Sequence, residues 1–315
     1  MELTPTPFRP PLWPSVSFAQ PAQGFSAKWG RQTPRNPWLS ASLGVALGAF
    51  RGVARRGFAL ADVKEREGRL KELQEFEKVY PSTWSNPSGA VLRQLDEDLF
   101  VAERPFIWNS IDVGGKMAVV RLDDGSLWVH SPVQLDAPLR LALSQLGPVR
   151  HIVSPNFEHV KWAKPWKEAF PEAVLWGTPG MRAKFPEIPY DQELPVSGES
   201  PWPGMEICFA DCERTPILGT PFFNEVIFYH KPSSTMMCTD IFWNYPEDVP
   251  KGSALWKFLM DKIYLPFYKR FMARAAPLEA VLGRVKSWKP HSILPCHGRY
   301  VKPSDVEEVF ANHLR

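Results

Sequence analysis

The sequence predicts an α/β fold in which two mixed β-sheets pack face to face, with helices on their outer surfaces. Three observations carry that prediction. Strands joined as hairpins come first, strands alternating with helices follow, hairpins return, and one strand and one helix close the chain. Three polar stretches each follow an apolar, strand-like run: Ser154-Pro155-Asn156-Phe157-Glu158-His159 after residues 149–153, Thr239-Asp240 after 235–238, and Pro295-Cys296-His297-Gly298 after 292–294. Polar residues at the ends of successive buried strands collect at one edge of a sheet, where α/β proteins build their sites. Finally, no G-x-G-x-x-G follows the first strand, and Walker A, G-x-S-x-G and H-E-x-x-H sequences are absent, so dinucleotide, P-loop, serine-hydrolase and zincin readings gain no support.

Along the chain, residues 99–103, 117–122 and 126–130 read as strands, the last two joined by the turn Asp123-Asp124-Gly125. Residues 137–146 read as a helix closed by Gly147-Pro148. A buried strand over 149–153, a helix over 164–170, a strand over 173–176 and a short helix over 178–184 make up the alternating part. From 193 to 212 strand and turn alternate, with 205–209 the clearest strand. Residues 223–230 and 235–238 form a second hairpin across Lys231-Pro232-Ser233-Ser234. Residues 254–272 place apolar side chains at helical spacing among Lys257, Asp261, Lys262, Lys269 and Arg270, predicting a helix kinked or split near Pro266. A strand over 292–294 and a helix over 304–314 end the chain. That helix starts at Pro303-Ser304-Asp305, with Glu307 and Glu308 in its first two turns.

The chain divides into three parts. Residues 1–61 are rich in Pro, Ser, Ala and Arg and contain one acid, Glu2, against seven basic residues. This is the composition of an organelle transit segment, with the plastid favoured over the mitochondrion by the abundance of proline and serine. The apolar run 39–50 is too short to span a bilayer, which takes about 20 residues, but suits the second half of a thylakoid signal; a stromal or thylakoid-associated protein is expected. An untargeted disordered tail is the alternative. Residues 62–88 hold an amphipathic helix over 64–80, stopped by Pro81, and a linker. Residues 89–315 form the folded domain.

Of 37 basic and 34 acidic residues in 315, the part after residue 61 keeps 30 and 33, so the domain is mildly acidic and nucleic acid is not expected as a partner. Four cysteines without a C-x-x-C pair exclude a disulfide framework or a zinc knuckle and read as buried thiols.

Two histidines and an aspartate at strand ends, His159, Asp240 and His297, offer ligands for a metal ion. The order of elements and motifs resembles the metallo-β-lactamase fold. There, a strand-turn-strand such as 126–131 begins the sheet, the next β-α unit carries an H-x-H-x-D-H loop, a later strand ends in a metal-bridging aspartate, and a last histidine precedes a glycine. Ser154 to His159, Thr239-Asp240 and Cys296-His297-Gly298 occupy those places. The wording of these stretches, with Thr220-Pro221-Phe222-Phe223-Asn224-Glu225-Val226-Ile227-Phe228-Tyr229-His230 leading to Asp240, is closest to the DUF4336 proteins of cyanobacteria, algae and plants. The resemblance spans residues 89–315 and implies a four-layer αββα sandwich.

Departures from the pattern bear on chemistry. Asn156 and Glu158 stand where two histidines belong, Val160 where the aspartate belongs and Lys161 where the third histidine belongs. His159 fits only with a shift of register. The family's mid-chain histidine, expected near Arg214-Thr215-Pro216, is missing. Asn156, Glu158 and Glu225 remain as additional oxygen donors. Three good ligands suffice for one zinc or iron ion with an open position, not for the usual pair.

Each residue also has a plainer reading. His159 and His297 are ligands or loop-holding hydrogen-bond partners, and Asp240 a ligand or a turn cap. Glu225 is a buried acid paired with a cation or an outward-facing side chain. Cys296 is a thiolate nucleophile or ligand, or an inert thiol. His130, His151, His230 and His291 border strands as structural residues. The helix over 254–272 packs on the outer sheet face, covers the site, or docks on a membrane surface or partner. Two functions follow: a single-metal hydrolase of an ester, thioester or phosphate in an unidentified small molecule or protein, or a metal-free binding or scaffold protein on the same fold.

Overall fold

The computed structural model describes residues 76–196, 200–302 and 306–315. The transit segment, most of the helix expected over 64–80 and the expected cap Pro303-Ser304-Asp305 lie outside the described residues.

Thirteen described strands form two main sheets and a short ribbon. The first sheet runs β1 (Arg93–Asp96), β2 (Leu99–Arg104), β5 (Gly115–Arg121), β6 (Leu127–His130), β7 (Val149–Ser154), β8 (Val174–Gly177) and β9 (Gln192–Glu193). It is antiparallel through β6 and parallel from there on. The second runs β10 (Met205–Ala210), β11 (Glu225–His230), β12 (Thr235–Cys238) and β13 (Ser292–Pro295), with only the last pair parallel. A two-stranded ribbon pairs β3 (Ile107–Trp108) with β4 (Ile111–Asp112).

Alternation along the strands sorts side chains into layers. Leu99, Val101, Ala118, Val120, Trp128 and Val153 of the first sheet meet Ile207, Val226, Phe228, Met237 and Leu294 of the second in one buried cluster. The intervening residues face outward. Phe100, Met117, Val119, Leu127 and Ile152 pack beneath α1 (Ala137–Leu146), α2 (Ala163–Ala169) and α3 (Met181–Lys184). Ile227, Met236 and Ile293 pack beneath α5 (Ala275–Trp288) and α6 (Val306–Leu314). The order is helix, sheet, sheet, helix: the predicted four layers.

Local signals explain most elements. Asp136 accepts the Leu139 N–H at the start of α1, and Gly147, at φ +156°, ends it. The Asp123-Asp124-Gly125 and Lys231–Ser234 hairpins form as expected, between β5 and β6 and between β11 and β12. Two expectations are corrected. Residues 76–80 are not helical: Lys78 bridges Ala90, and Tyr80 donates to Asp136 while stacking under Arg104, because Phe76 and Tyr80 pack on the core beneath α1, α2 and α3. The helix over 254–272 starts at Lys251 and is not split at Pro266. Instead α4 (Lys251–Leu259) continues through a π turn over Met260–Tyr264, an α turn over Leu265–Phe267 and a second π turn over Tyr268–Met272. The wider π turns absorb the proline. Helix α5 was not expected, although Leu278, Val281, Leu282, Val285 and Trp288, all buried, repeat at helical spacing. Its missing cap and Pro277 in the first turn hide the start.

Candidate metal centre

The polar stretches do converge. Strands β7, β12 and β13 end at the same edge, where β11 begins, so the residues after Ser154, Cys238 and Pro295 meet Glu225 at the mouth of the sandwich. One donor atom from each of His159, Asp240 and His297 lies within 4.8 Å of the other two. His159 Nε2 is 3.1 Å from Asp240 Oδ2, and His297 Nε2 is 3.4 Å from Asp240 Oδ1. Donors bound to one ion at about 2.1 Å in tetrahedral geometry stand about 3.4 Å apart. The other ring nitrogens are engaged: His159 Nδ1 lies 2.6 Å from Ser131 Oγ, and His297 Nδ1 lies 2.8 Å from the Gly114 carbonyl. A carbonyl only accepts, so His297 carries its proton on Nδ1. In the neutral ring that turns the Nε2 lone pair toward a carboxylate oxygen of Asp240, where a cation would lie between them. Two imidazoles and one carboxylate, each oriented by an outer partner, fit zinc or ferrous iron with open positions.

The supporting residues play other parts than the sequence suggested. Asn156 is fully buried. Its Oδ1 accepts the N–H groups of Glu158 and His159 at 3.0 and 2.9 Å. Its Nδ2 faces Asp240 Oδ2 at 2.6 Å, Thr239 Oγ1 at 2.9 Å and Glu225 Oε2 at 3.2 Å. With its oxygen committed to the backbone, Asn156 is not a metal donor; it ties the His159 loop to Asp240. Glu225 is no donor either. Its carboxylate accepts N–H bonds of 2.7–3.0 Å from Thr239, Asp240 and Ile241, fixing the turn that carries Asp240. Glu158 is exposed and outside the three-residue cluster. Asp240 is not a turn cap, because its side chain serves His159, His297 and Asn156.

The electrostatics follow from burial against pairing. Burial pushes the Asp240 carboxyl up, but His159 and His297 outweigh it and hold it far below the usual carboxylate range. Burial pushes His159 down, and Asp240 reverses this, so its imidazole ends above its ordinary value. Glu225 is raised by burial and by Asp240, opposed by the N–H groups it accepts. Burial holds the Cys296 thiol well above its ordinary value, Sγ lies 4.0 Å from His130 Nδ1, and the residue stands outside the three-residue cluster, the setting of a buried thiol. Lys161 lies over the Phe106 and Trp162 rings, and Val160 packs on the core beneath α1, α2 and α3. Sequence reading missed Glu213, next to where the mid-chain histidine was sought. It is buried, caps the Phe223 and Asn224 N–H groups through Oε1, and leaves Oε2 without a partner. Burial raises its carboxyl to about 7, those N–H groups lowering it and Glu225 and Asp240 adding to the rise. An isolated acid before a Thr-Pro turn carries no sequence signal of that burial.

Residues 96–311 match the family described as Domain of unknown function (DUF4336). No curated protein matches the sequence. Among solved structures, the fold is similar to the DIM-1 metallo-β-lactamase exposed to ceftazidime, at TM-score 0.51 and 12% identity, covering 71% of this chain and 94% of that one. A metallo-β-lactamase from Hirschia baltica aligns at TM-score 0.49 and 9% identity over 71% and 95% of the two chains. The chemotaxis sensor ODP, seen with a peroxy diiron species, aligns at 0.49 and 17% over 71% and 94%. At such identities the likeness establishes the fold alone.

Proposed function

Because this chain belongs to the DUF4336 family and has the metallo-β-lactamase fold, we propose that it is a plastid protein binding one zinc or iron ion through His159, Asp240 and His297 to hydrolyse an ester, thioester or phosphate. The observation that carries the proposal is the convergence of two Nε2 atoms on one carboxylate, with the far side of each ring held by Ser131 or Gly114. A cation bound there polarises a substrate oxygen and acidifies water. The chain's own part is orientation: Asn156 and Glu225 lock the two loops that set His159 and Asp240, and Ser131 and Gly114 fix the rings. Metal analysis of the purified protein tests this. About one equivalent is expected, falling below roughly a tenth in His297→Ala; a low content unchanged by the substitution would sink the hydrolase reading.

One observation favours the alternative of a metal-free binding or scaffold protein. Asp240 already takes 2.6 Å and 3.1 Å contacts from Asn156 and His159, so the cluster can satisfy its charge with a proton on His159. The plastid assignment rests on the composition of residues 1–61. Fused to a fluorescent reporter, that segment is expected to deliver it to plastids; delivery to mitochondria or retention in the cytosol refutes the assignment.

A further inference from the structure

The helix over residues 251–272 has two opposite faces. Its inner line, Trp256, Met260, Tyr264, Tyr268 and Met272, is partly or fully buried. Trp256 Nε1 donates to Tyr245 at 2.9 Å, and the Tyr264 ring lies 6.1 Å from Trp243, so this line packs on the loop that follows Asp240. The outer line is Leu255, Leu259, Ile263, Phe267 and Phe271, all exposed, with Phe258 beside it. Both lines repeat every four residues. In a plain α-helix of 3.6 residues per turn that spacing drifts by roughly 40° per step, and a line of five would wind far around the cylinder. The two π turns, being wider, rotate it back. The backbone irregularity therefore keeps an apolar stripe straight, five residues long, pointing at solvent.

Two exposed apolar tips lie near the two ends of the helix. At its start, Ile107 and Trp108 of the β3–β4 ribbon are exposed, and Trp108 lies 4.9 Å from Trp256. At its end, Arg214 N–H bonds the Met272 carbonyl and Glu213 bridges Ala273, placing the turn that exposes Ile217 (95%) and Leu218 (77%) alongside. The exposed charges on the helix are all basic: Lys251, Lys262 and Arg270. Its one acid, Asp261, is bonded to Trp243 Nε1 and Lys257. Glu247 and Asp248, on the preceding loop, are paired with Lys257 and Arg299.

We propose that this face seats the protein on an anionic lipid bilayer, the stripe and the two tips entering the interface while Lys251, Lys262 and Arg270 meet headgroup phosphates. Aromatic and aliphatic side chains on a helix whose own exposed charges are all basic make up an interfacial helix, and the exposed acids of the preceding loop, Glu247 and Asp248, are each paired with a cation. The contact proposed is a peripheral one; among the described residues no helix is long and apolar enough to cross a membrane. It is independent of whether the site holds a metal.

Flotation of the full chain with phosphatidylcholine vesicles, with and without phosphatidylglycerol, tests it. Binding to the anionic vesicles is expected, with a drop of at least about tenfold in Phe258→Ser/Ile263→Ser/Phe271→Ser and a similar drop in Lys262→Glu/Arg270→Glu. Because these side chains are exposed, both variants should keep the wild-type circular dichroism and melting temperature. Wild-type binding by the triple variant, or no binding by the wild type, overturns the proposal. So does a dimer of the wild-type chain in solution that the triple variant disrupts without any vesicle binding, since a second copy would then cover the face.

Discussion

Asn156 stands where the resemblance led us to expect a histidine ligand, and its amide joins three segments distant in sequence. One oxygen holds the backbone of Glu158 and His159, and one nitrogen faces Glu225, Thr239 and Asp240. A histidine could not accept two backbone N–H groups and donate in this fashion, so the substitution exchanges a ligand for a brace. Asn156→Ala leaves the Glu158 and His159 N–H groups without their acceptor and removes the donor shared by Glu225, Thr239 and Asp240, and should destabilise the protein by about 3 kcal/mol, read as a shift in the urea midpoint. It should also weaken metal retention, because both Asp240 and the His159 loop lose their tie. A variant of wild-type stability and metal content would show that the amide is not a brace. The three metal candidates were legible as residues. The bracing was not, because whether an amide or carboxylate binds an ion or a backbone depends on which atoms face it.

At the scale of elements, the loop carrying His297 is held from the opposite sheet. Lys116 of β5, buried between the sheets, donates to the Gly298 carbonyl and pairs with Glu103 at 3.3 Å, which pairs with Arg93 at 3.1 Å. Gly298 itself has φ +83° and presses against the Asn244 backbone, so the glycine that follows the last histidine meets a backbone need: a Cβ would collide there. Lys116→Met removes the donor and leaves Glu103 with one partner. A loss of about 3 kcal/mol is expected, together with faster metal release by a chelator; unchanged release would show that the His297 loop needs no clamp from β5. Lys116 falls just before the strand expected over 117–122, and nothing in the sequence marks it as a clamp. Its partner lies 182 residues away.

Across the whole molecule, burial sets the response to acid. His130, stacked on Trp128 and packed edge-on to Phe228, is pushed down to about 3 by burial, with His159 adding to the shift, and His313 to about 4, again chiefly by burial. Their folded values lie below the ordinary 6.5, so their stabilising share is fully present above that pH and is lost as pH falls toward 3. Asp240, held below the ordinary carboxylate range, adds to the loss below about pH 4. His159 works oppositely: its folded value is raised, so its share is present below 6.5 and fades as pH rises. Glu213, raised to about 7, and Glu225 also work oppositely, since a buried acid is more stable protonated. The histidine share is therefore read by difference: between pH 7 and pH 4 the unfolding free energy from urea titration should fall by roughly 3 kcal/mol less in His130→Phe than in the wild type. Equal pH dependence of the two proteins would contradict the assignment of His130 as a neutral buried histidine.

The four layers and the strand-end placement of His159, Asp240 and His297 were determined by the sequence alone, because alternation, turn residues and strand order are local and repeat along the chain. Only the tertiary structure decided what the polar stretches do. It turned Asn156 and Glu225 from ligands into braces, set Glu213 beside them as a buried acid, and straightened an apolar stripe through two π turns. Each of those outcomes depends on which atoms meet across the sandwich, and such meetings leave no period in the sequence to read.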